Sequence, residues 1–494
     1  MQLRHRVHWF IALLLSLCWF ALACPPAQAA AVEDMALVPR QALSALQFRK
    51  HPSIPPLEML WQTTLTPQLA AWGWRWSDLA TWIGDEGVLV QLPCPTADCA
   101  TPRQLWIWHL KRPEAATAFL NQYWQAHPHQ SETVAGVPMQ VGESVATATV
   151  GDRLLVASDR EAIVASLGSP ASKDANLGGL PFYEQAIATF NDQDSLIFYA
   201  NLQPLARESQ FAPAYDRLLL GVRNHNNEIH LETALHATSD ATVTGSPLSL
   251  SGLRSLGDRP TLVLAGTQLP ATYQALLANL ETFRVATTPR GTAIVPQLLQ
   301  DLTARVGLDL QTTIFPLASD RYTLVLWRQP SGWQWWWQTR QTPDTADILA
   351  RLDAQARAAG YDVNRLVLDK QPVTAWVKLT LDPNTSEGLT SDVAAVYQQD
   401  KDTFTLASSL AVLNPGQQRT PWLNEELLRQ QRGSVGLVYA DWQTLYPYLA
   451  ENVPLLAYLN GLTAGWLERL QRLTWVNYGV SDRLGRSEMI LTSR

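Results

Sequence analysis

GWRWSDLATWIGDEGVLV, Gly73 to Val90, returns in looser form as GLDLQTTIFPLASDRYTLV, Gly307 to Val325. In each stretch a glycine leads, a short helix-like turn follows, then an Asp, then an apolar run that reads as a strand. Asp85 falls opposite Asp320 with one residue of slack. A motif that comes back at this distance predicts a duplicated chain.

Working outward, three further pairs keep the same order. Pro113-Glu114 opens the alanine-rich EAATAFLNQYW, and Pro343-Asp344 opens DTADILARLDAQARAAG. Asp152 begins DRLLVAS, and Asp402 begins DTFTLAS. Pro181 stands eighteen residues before Tyr199-Ala200-Asn201, and Pro421 eighteen before Tyr439-Ala440-Asp441. Repeat 1 then covers residues 33–238 and repeat 2 covers 258–494, with the polar linker 239–257 between them. Each repeat reads as a helix (Ile54–Ala71, then Pro270–Thr282), the turn, an apolar hairpin, a proline-opened helix and more short strands. Proline in the first turn with an acid beside it is a helix-start signal, because the first N–H groups lack partners and favour negative charge. Paired strands between helices, not strict alternation, predict an α+β fold: a tandem duplication of a unit with an antiparallel sheet and helices packed on one face.

The N-terminus carries an address. Arg4 and Arg6 precede a compact apolar run from Trp9 to Ala23, and Ala27-Gln28-Ala29 supplies small residues for cleavage. Residues 1–29 therefore read as a cleavable signal peptide, too short in its apolar part for the ~20 residues of a membrane span. Two alternatives stay open: an uncleaved anchor, and lipidation at Cys24. Without Arg4 and Arg6 the chain holds 35 basic against 44 acidic residues, a net charge of −9. That balance, with no basic run, argues against nucleic acid.

After cleavage only Cys94 and Cys99 remain, in PCPTADC between two predicted strands. In an oxidising compartment they read as a disulfide across a hairpin tip. Catalytic motifs are missing: no G-x-S-x-G, no H-E-x-x-H, no phosphate loop. His225, His230, Glu232 and His236 form the best metal-like group, and the last three share one strand face. Residues on a flat strand diverge where tetrahedral ligands must converge, so the group reads as the solvent face of an edge strand. Asp85, Glu86, Asp152, Asp320 and Asp402 sit before strands, where Asp is a common turn former. No catalytic, cofactor or metal residue is assigned.

Tryptophan is the exceptional component, with 20 in the chain. In SGWQWWWQT a strand would put Trp333, Trp335 and Trp337 on one face and Trp336 on the other. Trp106 and Trp108 hold the comparable strand of the first copy, and Trp74 and Trp76 crowd the first turn. Such residues fill cores. They also build binding surfaces, because the ring is apolar while its N–H still wants a partner. Trp74, Trp76, Trp106, Trp108, Trp333, Trp335, Trp336 and Trp337 are the candidate binding surface.

The Gly…Asp strand entry, the Pro-Glu helix, DRLLVAS and FYANL (Phe198 to Leu202) together resemble a family of exported cyanobacterial proteins known only as a domain of unknown function. The resemblance implies a periplasmic or thylakoid-lumen location and brings no catalytic residues. The leading expectation is a non-enzymatic scaffold or assembly factor. It would bind a protein partner, with peripheral membrane contact, at the thylakoid-lumen or periplasmic membrane surface. Alternatives are a carrier for a hydrophobic lipid or pigment-like ligand, and a hydrolase with an unrecognised site.

Overall fold

The computed structural model describes residues 32–48, 66–94, 103–191, 195–204, 215–225, 227–238, 248, 259–270, 315–318, 320–329, 332–368, 370–381, 389–413, 433–452 and 466–493. The chain forms two units, Met1–Thr242 with Val480–Ile490, and Val243–Gly479 with Leu491–Arg494. The predicted second repeat ran unbroken to Arg494; the stretch Val480–Ile490 belongs instead with the first unit.

In unit 1 the strands are β1 (Ser44–Phe48), β2 (Ile83–Leu92), β3 (Arg103–Leu110), β4 (Gln130–Val134), β5 (Val137–Val141), β6 (Ala146–Val150), β7 (Arg153–Ala157), β8 (Leu196–Asn201), β9 (Tyr215–His225) and β10 (Glu228–Ala237). They pair antiparallel in the order β4-β5-β6-β7-β3-β2-β1-β8-β9-β10. Unit 2 holds β11 (Leu262–Thr267), β12 (Arg321–Gln329), β13 (Gly332–Arg340), β14 (Asp362–Leu368), β15 (Gln371–Leu381), β16 (Leu389–Gln399), β17 (Thr403–Ala407), β18 (Gly436–Asp441) and β19 (Leu470–Ser481). Its antiparallel order is β14-β15-β16-β17-β13-β12-β11-β18-β19. Strand for strand this matches the run from β4 to β9. The last strand, β20 (Leu484–Ser493), lies along β10, and Ala237 N donates to Arg483 O at 2.8 Å.

The turn before β2 shows how local sequence sets this up. The helix Thr66–Ala71 ends at Gly73, whose φ is +74°. Gly73 N donates to Ala70 O at 3.1 Å and Trp74 N to Leu69 O at 2.8 Å. That is the paired C-terminal cap in which a left-handed glycine satisfies the last carbonyls. The apolar contact that accompanies it is Trp74 with Leu69, both in one core cluster. The helix Thr345–Ala358 in unit 2 ends the same way, with Gly360 at φ +84°, Gly360 N on Arg357 O at 2.9 Å and Tyr361 N on Ala356 O at 3.0 Å.

Helices cover both faces of each sheet, not one. The helix Pro113–Ala126, opened by Pro113, carries the chain from β3 to β4 and buries Ala116, Leu120 and Trp124. Those residues pack with Trp106, Trp108, Leu154 and Val156. The helices Arg160–Gly168 and Pro181–Ile187 carry it from β7 to β8 and pack on Leu105, Ile107 and Leu155. Side chains alternate along a strand, so the two helix sets lie on opposite faces. Strand β3 records this directly: Leu105, Trp106, Ile107 and Trp108 are all at most 1% exposed. In unit 2 the helix Thr345–Ala358 packs with Trp337, Trp376 and Phe404. The short helix Leu410–Leu413 packs with Trp336, Val325 and Ala407 on the other face. A strand apolar in both parities demands cover on both sides; the predicted single-sided packing overlooked that feature of LWIW and WWW.

Candidate functional site

Five of the eight predicted surface tryptophans are core. Trp74, Trp106, Trp108, Trp336 and Trp337 are buried, while Trp76, Trp333 and Trp335 are half-buried. In unit 1 the indoles form one layer between the sheet and the helix Pro113–Ala126. Trp72, Trp74, Trp82, Trp106, Trp108 and Trp124 all belong to it. Trp74 meets Trp72 edge-on at 5.5 Å, Phe119 at 5.6 Å and Tyr123 at 5.5 Å. Trp106 Nε1 donates to Gln68 Oε1 at 2.8 Å, and Trp124 Nε1 to Thr147 Oγ1 at 3.1 Å. Among the described residues the buried Nε1 groups of Trp74, Trp82 and Trp108 have no hydrogen-bond partner. Each unpaired donor costs about 1–3 kcal/mol. Burial of 150–250 Å² of apolar ring, at roughly 25 cal/mol per Å², more than offsets that.

In unit 2 the β12–β13 hairpin sorts its tryptophans by parity, as the alternation in SGWQWWWQT predicts. Trp336 lies opposite Val325 and joins the cluster containing Ala407 and Val412. Trp337 lies opposite Leu324 and faces the helix Thr345–Ala358. Trp335, opposite Leu326, and Trp333, opposite Arg328, continue that second face toward the hairpin turn. Burial fades along it. Trp337 is buried, whereas Leu324, Leu326, Trp335 and Trp333 are half-buried. Arg328 caps the strip with its guanidinium carbon 5.5 Å from the Trp333 ring centre, and Tyr448 meets Trp333 edge-on at 5.5 Å. Such a strip offers apolar area, an indole N–H and a cation over a ring face. Sequence reasoning missed Arg328 and Tyr448. Register shows the first; the second comes from the distant helix Trp442–Asn452, and no spacing rule reaches it.

His230, Glu232 and His236 sit in ion pairs and not on a solvent face, and the side chain of His225 lies outside the described residues. His230 is only 6% exposed. Its Nδ1 lies 3.0 Å from Glu488 Oε1 and its Nε2 3.4 Å from Glu228 Oε2. Arg223 pairs with Glu232 and, at 3.1 Å, with Glu488. Burial opposes the His230 charge, but its hydrogen bonds with Glu228 and Glu488 outweigh that and raise its pKa above the ordinary histidine value. Burial also raises the Glu232 pKa, against the pull of Arg223. His236 Nδ1 sits 2.6 Å from Asp216 Oδ1. Among the described residues no three His, Cys, Asp or Glu side chains are placed to hold a metal ion.

The recurring acids are spread apart. Asp85 is exposed at a register shift inside β2, not ahead of the strand. Asp320 precedes β12 and pairs with Arg340 at 3.4 Å. Asp152 precedes β7, 3.1 Å from His109 and 2.6 Å from Arg153. Asp402 accepts from Gln341 N through its carbonyl at 3.0 Å. Cys94 is half-buried just past β2, and Cys99 lies outside the described residues.

Fold and site together define a two-unit, mostly antiparallel β-sheet protein with an indole layer in one unit and a half-open aromatic strip in the other. The chain belongs to the family described as Protein of unknown function (DUF3352), whose model matches residues 75–493. No curated protein matches it. Among solved structures it is similar to one titled "Structure of crystal form I of TP0453", with 11% identity, a TM-score of 0.28, and coverage of 43% of this chain and 82% of that one. Crystal form III of the same protein gives 11% identity, a TM-score of 0.28, and coverage of 44% and 84%. A likeness this weak carries nothing about function.

Proposed function

We propose that this chain is an exported, non-enzymatic binding or scaffold protein that offers the aromatic strip of unit 2 to a protein partner at a membrane surface, in the periplasm or thylakoid lumen. The observation that carries the reading is the half-buried pair Trp333 and Trp335 beside Arg328. Tryptophan and arginine are the residue types that supply most binding energy at protein interfaces. Export rests on the charged, apolar and small-residue segments of residues 1–29. No helix among the described residues is long and apolar enough to cross a membrane. The shared strand order of the units favours origin by tandem duplication. A Cys94–Cys99 bridge would close the β2–β3 connection, worth roughly 2 kcal/mol in the chain-entropy model.

The test is crosslinking in the native envelope fraction followed by recovery of the chain. The double variant Trp333→Ala, Trp335→Ala should fold and lose its reproducible partner. Undiminished recovery of that partner removes the reading. Thiol labelling of the exported chain should find Cys94 and Cys99 unreactive until a reductant is added.

A further inference from the structure

Five ionisable side chains meet where β20 closes the edge of β10 in unit 1. Arg223 comes from β9, Glu228, His230 and Glu232 from β10, and Glu488 from β20. Glu488 lies in Val480–Ile490, the stretch of the C-terminal strand that belongs to this unit. Arg223 and His230 are direct cross-strand partners, which puts them on one face. His230 is buried, and the other four are half-buried. Charges held this far from water need partners, and here the partners are one another.

The hydrogen-bond pattern depends on one proton. His230 Nδ1 is 3.0 Å from Glu488 Oε1, and its Nε2 is 3.4 Å from Glu228 Oε2. Only the imidazolium carries an N–H on both nitrogens. Either neutral tautomer turns a bare lone pair toward one of the two carboxylates. Arg223 decides which. Its Nη2 lies 3.1 Å from Glu488 Oε1 and 3.1 Å from His230 Nδ1. With His230 charged, arginine and histidine both donate to Glu488. With His230 neutral, Nδ1 accepts from Arg223, so Glu488 loses the histidine donor and competes for that of the arginine.

We propose that His230 is a proton-operated latch on β20: as imidazolium it ties Glu488 to β10, and once neutral it lets that carboxylate go and loosens the strand. The surrounding charges set the direction. Around the ring stand Glu228 and Glu232 on its own strand, Arg223 on β9 and Glu488 on β20. Arg486 shares the face of Glu488 by strand parity. Asn191 N, past the helix Pro181–Ile187, donates to Glu232 Oε2 at 3.1 Å. Burial and Arg223 oppose the imidazolium, yet its bonds with Glu228 and Glu488 prevail and raise its pKa. The latch is therefore closed below about pH 6.5, the ordinary histidine value, and opens as pH rises through the raised one. Loss of the proton leaves the three carboxylates with one cation fewer, and like charges across strands destabilise their pairing.

The test is hydrogen exchange of the purified chain, read by mass spectrometry from about pH 5.5 to about pH 8.5 and corrected for the intrinsic pH dependence of exchange. Residues 485–490 should be less protected than Leu196–Asn201 of β8 at every pH, because the strand opens without the rest of the unit. Their protection should fall about tenfold across the range. His230→Gln and Glu488→Gln should each flatten that fall, since neither keeps a proton-dependent bond between the two strands. Should His230→Gln not fold, Glu488→Gln carries the comparison, and the wild-type profile needs neither. Protection of residues 485–490 that stays constant with pH overturns the proposal. So does a β20 that opens only together with β8, or a fall that either folded variant retains in full.

Discussion

Both units place an apolar hairpin at the same position in their sheets and load it with indoles, yet the indoles do different work. Trp106 and Trp108 on β3 are sealed, while Trp333 and Trp335 on β13 are half-open. The strands are alike; the cover differs. In unit 1 the turn ahead of β2 contributes Leu69, Trp72, Trp74, Leu79 and Trp82 to the layer. In unit 2 the described part of the matching turn contributes Leu317 and Ala318. Tryptophan count alone therefore does not separate filling from display. What stands over the strand does.

The largest effect expected from this contrast is at Trp108. Trp108→Ala should cost about 3–5 kcal/mol in urea unfolding, the usual range for a buried aromatic cut to alanine. A loss below about 1 kcal/mol would break the claim that the unit 1 layer is core. Next are the polar ties between helix and sheet. Asp353 on the helix Thr345–Ala358 accepts from Trp376 Nε1 at 2.8 Å and Tyr397 Oη at 3.0 Å, whereas the helix Pro113–Ala126 of unit 1 donates from Trp124 Nε1 to Thr147 Oγ1 at 3.1 Å. Asp353→Ala should cost about 1–3 kcal/mol, and Thr147→Val, which frees one donor instead of two, should cost less.

A pH effect should belong to unit 1. The folded pKa of His230 lies above its unfolded value. Its stabilising contribution is thus complete below the unfolded value, about 6.5, and is lost as pH rises through the folded one. Glu232, also raised, acts in the same direction, because its buried charge is opposed once it ionises. Unfolding free energy measured from pH 5 upward, about the histidine range, should decline more steeply for the wild type than for His230→Gln. Parallel curves would mean that the His230 pairs do not hold in solution. Smallest of all, Trp333→Ala should cost under about 1 kcal/mol while impairing partner recovery; a cost like that of Trp108 would make the strip core as well.

Much of this arrangement was legible in the residues. Local signals read well: Pro113 opening a helix, and the parity of SGWQWWWQT. The family resemblance pointed to a domain of unknown function, which the chain's family is. What failed was anything set by partners distant in sequence. Apolar residues in both parities of LWIW call for two layers of cover, but nothing in four residues says where the second comes from. His230 looked solvated because Glu488, its partner, lies far along the chain and returns on β20. Tyr448 joined the aromatic strip for the same reason, whereas Arg328 stands opposite Trp333 in one hairpin and needed only the register.

The most direct measurement is oxidative labelling of tryptophan in the folded chain, resolved by residue with mass spectrometry. Trp76, Trp333 and Trp335 should react well before Trp74, Trp106, Trp108, Trp336 and Trp337. If Trp106 and Trp108 react as fast as Trp333, the first unit has no sealed indole layer and the contrast between the two units is wrong.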